Sequence, residues 1–99
     1  MVSLVTYFKL MKRPEQLERH FKGMANHRRI EILFLVDRFD SIILEEIANR
    51  LKCNFKTISE HTRRLVQAGL LNKKYRGRSV THHLSPYGRR FLRFAERFF

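Results

Sequence analysis

Residues that could meet a polyanion are concentrated between positions 54 and 84. The run Asn54-Phe55-Lys56-Thr57-Ile58-Ser59-Glu60-His61-Thr62-Arg63-Arg64-Leu65-Val66-Gln67-Ala68-Gly69-Leu70-Leu71 is followed by a basic turn, Arg76-Gly77-Arg78. A polar cap opens a helix here and Gly69 closes it, with Ile58, Leu65 and Val66 marking an inward face. Lys56, Glu60, Arg63 and Gln67 then point away from the core. In the first turns, Lys56, Thr57 and Ser59 could reach phosphates or base edges. Glu60 could accept from a cytosine amino group and His61 donate to a guanine or thymine edge, while Arg63 and Arg64 suit phosphates. After the glycine, Leu71, Lys73 and Tyr75 alternate with Leu70, Asn72 and Lys74, and Val80, His82 and Leu84 answer them across the turn, so a hairpin is expected. Its cations, Lys73, Lys74, Arg76 and Arg78, would lie at or near the tip, where a minor groove or flanking phosphate would be.

The charge is unevenly placed. Up to Glu46 there are eight Lys/Arg against seven Asp/Glu; from Ile47 onward there are thirteen against two, which sums to the net +12 of the 99-residue chain. A basic half joined to a near-neutral half predicts a polyanionic partner bound with strong salt dependence. A solvated, solubility-giving face is the bland alternative, and confinement of the excess to the second half argues against it.

The elements that must position these groups follow from punctuation and period. Pro14 suits the first turn of a helix reaching about Met24, with Leu17 and Phe21 four apart on one face. Asn26 caps a second helix whose Ile30, Ile32, Leu33, Phe34, Leu35, Val36 and Phe39 predict a central position. Asp40 and Ser41 end it. A third helix spans roughly Leu44 to Leu51, and a tight turn through Lys52 and Cys53 leads into the fourth, the helix, turn, helix arrangement that sets a recognition helix against its support. Ser85-Pro86 opens a last helix. The fold expected is mainly α with a small β-hairpin: a winged helix-turn-helix of about five helices plus a two-stranded wing, with the recognition helix over 54–69 and the wing over 70–84.

A chain of this length makes one domain with a limited core, so dimerisation is a natural source of stability. Leu17, Phe21, Phe91, Phe94 and Phe98 are the expected dimer interface, although the terminal phenylalanines could also serve the monomer core. Residues 1–12 read as an N-terminal arm on domain 13–99. Their apolar character falls short of a membrane span and they lack a positive lead and cleavage site, so no membrane association is expected. A single cysteine gives no intrachain disulfide framework, and a reducing, cytoplasmic location is the default. Cys53 reads as a small buried hydrophobe, with a redox role left open by Lys52 and Lys56 nearby. His82-His83 resembles a metal pair, but neighbours on a strand face opposite ways, so no metal is expected. His20 and His27 read as cap or surface residues.

Residues of about 20 to 90 resemble the winged helix-turn-helix domain of the arsenical-repressor (ArsR/SmtB-like) family of transcription regulators. Met24-Ala25-Asn26-His27-Arg28-Arg29-Ile30-Glu31-Ile32-Leu33 is similar to the lead into that family's second helix. Thr57-Ile58-Ser59-Glu60-His61 through Leu65 to Ala68-Gly69-Leu70-Leu71 is similar to its recognition helix and exit, and Gly77-Arg78-Ser79-Val80 to its wing. The resemblance implies a homodimeric, cytoplasmic regulator of transcription, a repressor, on double-stranded DNA. Metal-sensing members carry a cysteine pair near the third helix, whereas Ile43-Leu44-Glu45 has no thiolate, and residues 86–99 contain no histidine. Thr62 and Arg64 stand where the family is often apolar, which predicts looser packing or a different tilt.

There is no glycine-rich phosphate loop, no magnesium-holding acid cluster and no visible nucleophile and base, so no enzyme activity and no cofactor are expected. Two other readings remain: a nucleoid-type protein coating DNA without sequence preference, and a winged-helix module docking on protein or RNA.

Overall fold

Local signals in the chain set the limits of its helices in the computed structural model, which describes residues 3–6 and 13–98. Helix α1 is Pro14–Met24, with proline in its first turn and the Gln16 side chain accepting from the Arg13 N–H at 2.9 Å. Helix α2 is His27–Arg38, where the Asn26 carboxamide oxygen accepts from the N–H groups of Arg28 (2.9 Å) and Arg29 (3.3 Å). Those two arginines also brace other helices: Arg29 donates to the terminal carbonyls of Lys22 and Gly23 on α1, and Arg28 reaches the Leu51 carbonyl. Cations at helix C-termini satisfy orphan carbonyls and oppose the negative end of the dipole.

Strand β1 (Ile42–Ile43) precedes helix α3 (Leu44–Leu51), and residues 52–54 turn the chain into helix α4 (Phe55–Gln67). The turn is tight: Lys52 sits in the left-handed region at φ 51° and the Cys53 N–H returns to the Ala48 carbonyl at 3.1 Å. Gly69 leaves α4 at φ 77°, leading to β2 (Leu71–Arg76), β3 (Ser79–Leu84) and α5 (Pro86–Glu96). Residues 4–6 are helical as well. Otherwise the arm expected over residues 1–12 lies outside the described residues, as does Phe99.

The fold is the winged helix expected from the sequence, with one addition. The hairpin is joined by β1 in a three-stranded antiparallel sheet of order β1-β3-β2, with Ile42 opposite His82 and Ile43 opposite Thr81. Two residues of strand leave no readable period, and their pairing partner lies some forty positions away. Helix α2 is central as expected, packing against α1, α3, α4, α5 and β3. Ile32, Leu33, Ile47, Ile58, Leu65 and Leu70 are fully buried around it, and Cys53 packs half-buried at the margin of the core. Among the described residues, no helix is long and apolar enough to cross a membrane.

His20 departs from the cap or surface role expected of it. It is buried, and its Nδ1–H donates to the Ala68 carbonyl at the end of α4 at 2.6 Å, with Tyr87 and Phe91 of α5 packed on its ring. A polar side chain on an amphipathic helix looks surface-bound until a carbonyl from a distant helix is brought to it. His27 is exposed.

Candidate nucleic-acid interface

Helix α4 is anchored by Ile58, Thr62 and Leu65, all buried. Thr62 is accommodated because its hydroxyl donates to the Ile58 carbonyl at 2.8 Å, so its hydrogen-bonding need is met within the helix and its methyl group faces the core. Looser packing is therefore not seen at this position. The Asn54 side chain accepts from the N–H groups of Lys56 (2.8 Å) and Thr57 (3.3 Å), fixing the first turn.

The opposite side of α4 is the candidate surface. Lys56, Thr57, Glu60, Arg63, Arg64 and Gln67 are exposed, while Ser59 and His61 are half-buried on the flanks of the inward face. Glu60 holds both arginines in the free protein: Arg63 grips its two carboxylate oxygens, and Arg64 Nε donates to Oε1 at 3.2 Å. The Arg63 hydrogen bonds, with the charges of both arginines, hold the Glu60 carboxyl below its ordinary pKa. A cytosine contact by Glu60 would thus have to share or break these bonds, and phosphate contacts by Arg63 and Arg64 would compete with Glu60. Glu60→Gln is expected to strengthen binding to all DNA sequences severalfold, by releasing two guanidinium groups and removing a like charge from the phosphates' path. Fluorescence anisotropy on two unrelated duplexes checks this; weaker binding to both would show that Glu60 orients the arginines usefully instead.

His61 is not on the outward stripe. Its Nδ1 is enclosed with no hydrogen-bond partner among the described residues, and burial, reinforced by the charges of Arg29 and Arg64, lowers its pKa. Its reach to a base edge is shorter than that of Lys56 or Arg63.

The wing closes through Gly77 and Arg78, with Arg76 opposite Ser79. Gly77 has φ 61° and Arg78 does not, the pattern of a two-residue turn with its left-handed residue first, which glycine favours. Pleating divides the wing cations. Lys73, Tyr75, Val80 and His82 share one face, and Lys74, Arg76, Ser79, Thr81 and His83 the other. Lys73 and Arg78 border a cleft of about 290 Å³ between the wing and the start of α4, where Phe55 forms part of the wall. Lys74 lines a second hollow together with Asp37 and Asp40. Phe55 and Tyr75, not among the site residues expected from the sequence, are 48% and 75% exposed. The available signal was the place of each aromatic beside cations, at the helix start and on the Lys73 face of the wing.

The two wing histidines do face opposite ways. His82 is buried with Nδ1 3.4 Å from the Ile42 carbonyl, whereas His83 meets Asp40 at 3.1 Å and the Thr81 hydroxyl at 2.9 Å. Among the described residues no cluster of three or more His, Cys, Asp or Glu is arranged to hold a metal ion. Burial pushes the His82 pKa down, the hydrogen bond to Ile42 opposing it in part. The native state thus keeps this ring neutral while the unfolded chain takes up a proton near the ordinary value of about 6.5. Stability is full above that pH and falls as the pH drops from there through the depressed native value. Urea midpoints between pH 7.5 and 5 are expected to decline, and to decline less in His82→Gln; equal slopes would remove His82 from the cause.

The residues expected at a dimer interface divide. Phe91 is buried in the chain's own core, meeting Phe21 edge-to-face with ring centroids 4.8 Å apart and lying against His20. That corrects its expected place on the outer face: α1 folds across α5 and encloses it. Leu17 is half-buried, and Phe21, Phe94 and Phe98 are exposed by 47%, 49% and 75%. Phe94 and Phe98 stack edge-to-face on one another rather than on the core.

Residues 25–76, from the lead into α2 to the end of β2, match the sequence model of the MarR family. The chain belongs to the MarR family. The winged-helix resemblance read from its motifs therefore holds, and the family model that matches is that of MarR. No curated protein sequence matches this MarR-family chain. Among solved structures it is similar to HlyU from Vibrio cholerae, at 26% identity and TM-score 0.77 over 90% of this chain and 98% of that one. It is also similar to the homodimeric winged helix-turn-helix DNA-binding domain of a possible ArsR-family transcriptional regulator from Mycobacterium bovis. Identity there is 23% and the TM-score 0.78, covering 99% of this chain and 87% of that one. A MepR mutant from S. aureus bound to an oligodeoxyribonucleotide shares the fold at 16% identity and TM-score 0.69, covering 99% and 78% of the two chains.

Proposed function

We propose that this MarR-family protein is a sequence-specific, non-enzymatic DNA-binding regulator of transcription in the cytoplasm, a repressor that acts as a homodimer. The observation that carries the reading is the pairing of one cationic, exposed helix face on α4, anchored by Ile58, Thr62 and Leu65, with an adjacent wing tipped by Arg76 and Arg78. In such a pair α4 enters the major groove, with Lys56, Thr57, Ser59, Glu60, Arg63 and Arg64 as its contacts and His61 at the margin. The wing's Lys73, Lys74, Arg76 and Arg78 meet the backbone or the minor groove.

Homodimerisation is supported by the exposed Phe21, Phe94 and Phe98, which one chain leaves uncovered. Two recognition helices about 34 Å apart would then read half-sites one helical turn apart. The arsenical-repressor character is supported by the motifs around Asn26, α4 and the wing tip, and repression by that likeness.

The test is selection of bound fragments from genomic DNA by purified protein at about 0.15 M salt, where non-specific binding is typically micromolar or weaker. Recovery of one inverted-repeat motif is the expected result. Uniform recovery would overturn the reading in favour of a protein that coats DNA. Sedimentation of wild type against Phe94→Ser/Phe98→Ser is expected to show a dimer and a monomer, respectively.

A further inference from the structure

Phe55 puts an apolar ring at the start of a helix whose exposed face is otherwise polar. It stands three and seven positions before the buried Ile58 and Thr62, on the flank of the inward face of α4. In this first turn the core no longer covers it, and it is 48% exposed. Its neighbours Lys56 and Thr57 are exposed as well. A lone exposed phenylalanine needs no explanation. This one forms part of the wall of the cleft of about 290 Å³ between α4 and the wing, where Ile43, Leu44 and Val80 complete the apolar lining and Lys73 and Arg78 supply cations.

That volume is at the lower limit of the roughly 300–1,000 Å³ usual for small-ligand sites. The cleft also lies inside the surface that meets DNA in the reading above, so its occupant is part of the duplex. When α4 enters a major groove and the wing lies on the flanking backbone or minor groove, the strand dividing the two grooves crosses the cleft. Glu45 shares the lining, so two cations against one carboxylate leave a surplus of one, the charge of a single phosphodiester.

The ring then selects among the bases of that strand. In the major groove adenine, guanine and cytosine present hydrogen-bonding groups, whereas thymine adds an apolar C5-methyl group, which a phenylalanine ring can cover. Lys56, Thr57 and Glu60 read donors and acceptors and gain nothing from a methyl group. We propose that Phe55 is a specificity-determining residue that covers the C5-methyl group of one thymine per half-site, while Lys73 and Arg78 hold a phosphate of the same strand. The inference rests on the DNA-binding reading.

A uracil scan tests it. Each thymine of a duplex recovered by the genomic selection is replaced singly by uracil, which removes only the methyl group, and binding is followed by fluorescence anisotropy at about 0.15 M salt. One thymine per half-site is expected to respond with a loss of about fourfold, the worth of one buried methylene, and above tenfold when both half-sites are changed. Phe55→Ala is expected to bind the thymine and uracil duplexes within about 1.5-fold of one another, and selection with this variant to lose the thymine at that position alone. Phe55→Leu, which stays apolar, is expected to keep a preference for thymine and is the second route if the alanine variant misfolds by circular dichroism. Tyr75→Ala removes a ring that is 75% exposed on the wing but outside the cleft lining, and is expected to keep the whole preference. A flat scan in a protein that recovers one motif, or a thymine preference that survives Phe55→Ala, would overturn this contact alone. Failure to recover any motif would overturn the DNA-regulator reading and the contact with it.

Discussion

Gly88→Ala is expected to unfold this protein or lower its melting temperature by about 20 °C or more. A Cβ at position 88 would lie 2.1 Å from the Leu70 carbonyl oxygen and 3.0 Å from its carbon, and both are backbone atoms with no rotamer to retreat into. The same carbonyl accepts from the Ser85 N–H at 3.1 Å, while the Ser85 hydroxyl donates to the Gly69 carbonyl at 2.6 Å and accepts from the Gly88 N–H at 2.9 Å. Relief by moving α5 would therefore break the stitching that holds it to the exit of α4. Losses above about 4 kcal/mol arise from conflicts of this kind, and a domain of this size has only about 5–15 kcal/mol in total. Each kcal/mol is worth about 4–8 °C in a chain of roughly this length. Gly77→Ala is the control: nothing lies within 4 Å of its Cβ, so only the strain of φ 61° remains, about 1 kcal/mol. Thermal unfolding followed by circular dichroism reads both, and a Gly88→Ala protein melting within about 5 °C of wild type would refute the close-packing account.

Arg76→Gln/Arg78→Gln is expected to weaken binding to every DNA sequence by about a hundredfold or more at 0.15 M salt while leaving the order of sequence preference intact. Both residues flank Gly77 at the wing tip and are exposed, and neither has a carboxylate partner among the described residues. Each phosphate contact contributes about 0.9 to the slope of log affinity against log salt. Two lost contacts per chain, doubled in a homodimer, should flatten the slope by about 3 to 4. A flattening near 2 would point to one chain per site. Lys74→Gln is expected to matter less than either arginine because Lys74 lies farther from the wing tip, opposite Thr81. An unchanged slope would take the wing off the phosphates, whatever the affinity of the variant.

Much of the architecture was legible because its signals are local. Asn26, Asn54 and Ser85 each accept backbone N–H groups within three residues, Pro14 and Pro86 open helices, and Gly69 and Gly77 take the positive angles the chain needs there. The outward face of α4 followed from the period of Ile58, Leu65 and Val66. The ion pairs Glu60–Arg63 and Glu60–Arg64 were also within reach of a sequence reading, since they span three and four positions.

What the chain by itself determined is the kind, order and limits of its elements and the concentration of cations on α4 and the wing, because caps, turn residues and hydrophobic period act over a few positions. Tertiary structure alone decided which distant groups meet. His20 finds the Ala68 carbonyl, β1 finds β3, Asp37 finds Arg89 and Arg93, and Phe91 turns inward beneath Phe21. Those meetings depend on the angles at which helices cross. The angles depend in turn on close approaches such as Gly23 to Ala68 and Gly88 to Leu70, where the missing side chain leaves no periodic signal.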